Sequence, residues 1–171
     1  MINARPEVLA PAGDAERLRA AVDFGADAVY LGGTDFSMRN ACKNFTREEL
    51  IDSVAYAHSH GVKVYQTVNT LPRSGELALL PTLLSQAKEA GVDALIVSDL
   101  GVLDIVRSTL PEMEVHMSTQ TGIVNYAAAN MLYKLGARRV ILARELSIEE
   151  IAEIRKNTPP DLAIECFVHG A

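Results

Sequence analysis

The stretch "EAGVDALIVSDLGV", residues 89–102, decides the fold. A helix end runs into Gly91, an apolar run "DALIVSD" (93–99) follows, and Asp99 opens a new helical stripe. Glycine after a helix supplies the left-handed residue that turns the chain back, and aspartate before a new apolar period satisfies orphan helix amides. The run between them is apolar on both faces, as in a parallel strand covered by helices.

The same unit recurs along the chain. Helices end at Gly25, Gly61, Gly91 and Gly136, each followed by Ala or Val, a polar residue and a new apolar run. Strands are predicted at 7–12, 27–33, 63–70, 93–99, 114–120, 138–145 and 162–170, with six helices between them. Thr46 with Glu49, and Ser147 with Glu150, are capping boxes. Pro81 suits a first turn, and Asp99 and Asn125 suit N-caps. Alternating units form either an open doubly wound sheet or a barrel. The loop "APAGDAE" (10–16) holds one glycine, so a dinucleotide fingerprint is absent. Polar residues instead follow nearly every strand, where barrel enzymes build their sites. The predicted fold class is α/β: a parallel (β/α) TIM-type barrel, truncated at about seven strands and six helices. One domain spans 1–171, incomplete at its carboxyl end, because a whole barrel takes roughly 200 residues or more. Its open edges invite self-association.

Composition narrows the function. The 171 residues are 49% hydrophobic and 22% charged, enough for a substantial core. A net charge of −6 gives no long-range pull on phosphate backbones. Cys42 and Cys166 stand far apart outside any CxxC spacing, which suits a reducing compartment and offers no metal site. No apolar run reaches membrane-spanning length. The expectation is a cytoplasmic protein without membrane partners.

Period-two alternation nominates the site. His116, Ser118 and Gln120 share one face of strand 5, and Glu165, Phe167 and His169 share one face of strand 7. Strand 3 contributes Tyr65, Thr67 and Asn69, strand 6 ends in Arg144-Glu145, and the loop after strand 2 carries Ser37 and Arg39. Catalytic candidates are His116, Glu165 and His169; binding candidates are Arg39, Asn69, Gln120 and Arg144. A barrel histidine can also be a satisfied core residue, and His58 and His60 read as surface residues at a helix end. No H-E-x-x-H or G-x-S-x-G motif occurs, so no hydrolytic constellation is legible.

"LAPAG" (9–13), "GADAVYLGG" (25–33), "FSMR" (36–39) with "KNFT" (43–46), "VNT" (68–70), "GVDALIVSDLGV" (91–102), "STQ" (118–120) with "NYAA" (125–128), "RRVILAREL" (138–146) and "FVHGA" (167–171) occur in order. Together they resemble the amino-terminal region of peptidase family U-32, the collagenase-like proteins. The resemblance implies either a peptidase of unknown catalytic type or hydroxylation of tRNA, rRNA or a quinone precursor, with prephenate as hydroxyl donor for the RNA reactions. It also implies a [4Fe-4S] cluster in full-length members, held by cysteines beyond residue 171 and by none here. Arg39 and Arg144 could then grip a small dicarboxylate, and RNA is the implied macromolecular partner. The favoured expectation is RNA hydroxylation by the full-length protein, with this chain alone inactive. The alternatives are a collagenase-like peptidase and a non-catalytic binding subunit.

Overall fold

The computed structural model describes residues 5–33, 36–37 and 45–169. Seven strands form one sheet in sequence order: β1 (Leu9–Pro11), β2 (Ala28–Gly32), β3 (Lys63–Val68), β4 (Ala94–Val97), β5 (Glu114–Met117), β6 (Arg139–Ile141) and β7 (Ala163–Glu165). Six helices connect them: α1 (Ala15–Asp23), α2 (Arg47–Ser59), α3 (Leu80–Ala90), α4 (Leu100–Thr109), α5 (Tyr126–Lys134) and α6 (Ile148–Lys156). Parallel neighbours in sequence order, joined by helices, are the barrel-type arrangement and not a doubly wound sheet with a reversed order.

The chain divides into two compact units, residues 1–68 with 78–94 and residues 69–77 with 95–171. In the first, β1 pairs with β2 and β2 with β3, both parallel. Helix α2 packs on α1, α3 and β3, burying Leu50, Val54 and Ala57 at helical spacing. Helix α3 buries Leu80, Leu83, Leu84 and Ala87. Two aspartates pin strand starts through their side chains: Asp27 accepts from Val8 N–H at 2.8 Å, and Asp93 from Val64 N–H at 2.7 Å. Arg5 first, and the Val8 amide second, hold the Asp27 carboxyl below the usual carboxylate range.

In the second unit, β5 pairs with β6 and β6 with β7, again parallel. Helix α5 packs on α6 and β6. The caps are as the sequence predicts: Asp99 and Asn125 accept from the third amide beyond them, and Ser147 and Glu150 close a capping box, as Thr46 and Glu49 do in the first unit.

The strands are shorter than the apolar runs. Strand 5 was expected to reach residue 120 but ends at Met117. There the Ser118 side chain accepts from Gln120 N–H, and Thr119–Thr121 wind into a 3-10 turn closed by Gly122 in the left-handed conformation. Strand 7 ends at Glu165, so Phe167 and His169 do not share its pleat. Strand 6 ends at Ile141, and Arg144 and Glu145 both lie exposed in a turn. Alternation therefore assigns no face to Gln120, Arg144, Phe167 or His169.

Gly136 adopts φ +103°, and a Cβ there would lie 2.8 Å from Arg107 Nε. Gly136→Ala combines left-handed strain with a clash. It is expected to lower stability by about 2 kcal/mol, read by urea unfolding. A change within experimental error would show that the turn and Arg107 both relax freely.

Candidate functional site

The residues just past the strand ends of the second unit form a polar rim. Ser98, directly after β4 and 5% exposed, lies 3.1 Å from the Asn69 carbonyl oxygen and 3.0 Å from Gln120 Oε1. One hydroxyl proton cannot serve two acceptors fully. The arrangement is satisfied when Ser98 donates to Asn69 and the Gln120 amide turns to donate its N–H to Ser98 Oγ. The 3-10 turn after β5 is tied to the same rim, Thr121 Oγ1 donating to the Ser98 carbonyl and Thr119 Oγ1 to the Leu142 carbonyl. Asn69 and Gln120 thus meet at one serine. Sequence reading passed over Ser98, although it stands immediately after the apolar run "ALIV", where barrel sites are built.

Arg144 and Phe167 form a second feature. The guanidinium carbon lies 4.3 Å from the Phe167 ring centroid, a cation–π contact. His169 is exposed two residues further on.

The strand interiors carry a different polar layer. Glu114 and His116 stand on one face of β5, and His116 Nε2 lies 2.8 Å from Glu114 Oε1. The imidazole is 0% exposed, and this bond, with Nε2 donating, satisfies that nitrogen away from water. Arg139, the register partner of His116, reaches across to Glu165 with Nη1 3.2 Å from Oε2. Their side chains are 13% and 19% exposed. Glu114 and Arg139 are the first residues of their strands, at the end opposite the rim, where barrels concentrate stability. Arg139 was not singled out from sequence. An inward charge on β6 two strand positions from an opposite inward charge on β7 is the signal that finds it.

In the first unit, Thr67 Oγ1 lies 3.1 Å from both the Leu31 carbonyl oxygen and Ser37 Oγ, and Tyr65 donates its hydroxyl proton to Glu7. Arg39 and Cys42 lie outside the described residues.

The described residues do not fit an iron–sulfur cluster. None of them form a group of three or more His, Cys, Asp or Glu able to hold a metal ion. Desolvation first, and the Glu165 charge second, push the Cys166 thiol up, the reverse of what a thiolate ligand needs. Among the described residues, no serine or cysteine is activated in a recognisable way either. Ser59 touches His60 Nδ1, but that nitrogen also faces the Tyr56 carbonyl at 2.9 Å, so it carries the proton and cannot act as a base. No helix among the described residues is long and apolar enough to cross a membrane.

A family model described as "Peptidase family U32" matches residues 13–171. The "tRNA hydroxylation protein P" of Escherichia coli (strain K12) is 45% identical over 167 residues, covering 98% of this chain and 37% of that protein. The "23S rRNA 5-hydroxycytidine C2501 synthase" of the same organism is 40% identical, covering 98% of this chain and 25% of that protein. The chain therefore spans well under half the length of these relatives. Among solved structures, "The Structure of the U32 Peptidase Mk0906" superposes with a TM-score of 0.78 at 19% identity, over 97% of this chain and 70% of that one. That likeness speaks for the fold.

Proposed function

The chain belongs to peptidase family U32, and from that premise we propose that it is the barrel portion of a protein that hydroxylates RNA. The observation that carries this reading is 40–45% identity, over nearly the whole chain, to relatives named for hydroxylation of tRNA and of rRNA. The geometry is compatible with it. Gln120 puts an amide group at the rim, a chemistry suited to the edge of a base, and the Asn69 main-chain carbonyl shares the same serine. Arg144, beside the Phe167 ring, suits bidentate binding of a carboxylate on a small dicarboxylate hydroxyl donor such as prephenate. His169 is the proton-transfer candidate on the exposed side. In this reading His116 and Glu165 hold the strands. A [4Fe-4S] cluster, if the protein uses one, takes its ligands from outside the described residues. The work is placed in the cytoplasm, where RNA is.

The peptidase reading rests on the family description and on 45% identity over 168 residues to a relative named "Uncharacterized protease MJ0090", of Methanocaldococcus jannaschii, covering 96% of this chain and 40% of that protein; the described residues give it no nucleophile with a base. The test is hydroxylated nucleoside in tRNA and rRNA from a bacterial strain lacking its own relative, complemented with the full-length protein. Restoration is expected. Arg144→Ala is expected to weaken apparent affinity for the anionic donor about ten- to a hundredfold, as loss of a charge-assisted bond of ~1.5–3 kcal/mol implies. Absence of hydroxylation together with cleavage of collagen or casein would replace this reading with the peptidase.

A further inference from the structure

A buried amide stands on the helix-facing side of β3. Gln66 is 3% exposed and lies between Val64 and Val68, which share its face of the strand and are fully buried. Its Oε1 is enclosed and has no hydrogen-bond partner among the described residues. Such an oxygen is costly to leave bare, and buried polar groups are nearly always bonded to protein or to ordered water. Gln66 lines a small cavity of about 30 Å³ with Gly33, Thr46, Arg47, Leu83 and Gln86. We infer that this cavity is a binding site for a single water molecule, which donates to Gln66 Oε1 and ties β3 to the first turn of α2.

Charge selects water over other occupants, and the space admits it. A water needs roughly 10–15 Å³ of cavity volume, which this site exceeds. An anion would need an uncompensated cation, but the Arg47 guanidinium is held by Glu89, with Nε 3.0 Å from Oε2. A cation would need a carboxylate, and the lining residues include none. The occupant must donate to Oε1. It can accept in turn from the first-turn amide of Arg47, one of the helix-start N–H groups that have no partner within the helix. Water does both.

The surroundings keep the seat open. A Cβ on Gly33 would come within 2.9 Å of Gln66 Nε2, so the missing side chain leaves the amide its position. Phe45 N–H donates to the Gly32 carbonyl at 3.1 Å, closing the chain beside the cavity. Thr67, next along β3, bonds Leu31 and Ser37 on the opposite face. The water therefore steadies from behind the strand segment that presents Thr67.

The decisive experiment is a crystal structure of the protein at a resolution that shows ordered waters. A peak within hydrogen-bonding range of Gln66 Oε1, ~2.7–3.2 Å, is expected, and an empty cavity overturns the inference. Gln66→Met supplies an independent check. A hydrated amide loses its bonds on substitution, so Tm is expected to fall and the peak to vanish. A dry, unsatisfied amide would be relieved by methionine, so a Tm that is unchanged or higher also overturns it.

Discussion

Arg139→Ala is expected to destabilise the protein by about 3 kcal/mol, the low end of what removing one partner from a buried ion pair costs. The low end applies because the two side chains retain 13% and 19% exposure, so water partly relieves the abandoned charge. The loss comes from leaving Glu165 charged and poorly solvated among the strands, more than from the attraction removed. Glu165→Gln tests the reverse side, leaving the guanidinium with a weaker neutral acceptor, and is expected to cost less. Arg139→Lys keeps the charge without the planar fork and falls between wild type and alanine. Guanidinium or urea unfolding of each variant reads these losses. If Arg139→Ala costs under about 1 kcal/mol, the pair behaves like a surface salt bridge, and the interior layer described for the second unit contributes little.

Leu84→Ala should be comparably severe, at about 2–5 kcal/mol. Leu84 is 0% exposed on α3, flanked by the buried Leu80 and Ala87 on the same stripe. Truncation removes transfer energy and leaves a cavity that close-packed neighbours fill only in part. Leu79 is the control. It lies one residue before α3 with 54% exposure, so Leu79→Ala should stay within about 0.5 kcal/mol. Equal losses at the two positions would mean that α3 does not bury the face described for it.

The helices and turns were legible because their signals are local. Gly25, Gly61, Gly91 and Gly136 all take positive φ, as a helix-closing glycine must. Thr46, Asp99, Asn125 and Ser147 cap because a short polar side chain can reach the third amide beyond it. Strand ends were less legible. Apolar letters continue past the strands with different outcomes: Leu142 stays buried and donates its N–H to the Glu165 carbonyl, whereas Cys166, Phe167 and Val168 are exposed. The Ser118 turn that ends β5 is a side-chain bond with no periodicity to announce it. Among the candidate residues, the placement of Asn69 and Gln120 after strands followed from the repeating unit. Their meeting at Ser98, and the match of Arg139 with Glu165, depend on register between strands, which one sequence does not encode locally.

The aspartates that pin Val8 and Val64 change what hydrogen exchange can report in the first unit. The Val64 amide is protected by the Asp93 carboxylate, whose same oxygen lies 2.9 Å from His58 Nε2 near the end of α2. Its exchange rate therefore gauges the hold of a side chain, and a modest local opening suffices to release it. The Val29 amide, inside the middle strand of that unit, exchanges only when the ladder itself parts. Comparing the two in one experiment separates fraying at the strand starts from unfolding of the sheet, with no labelled probe added.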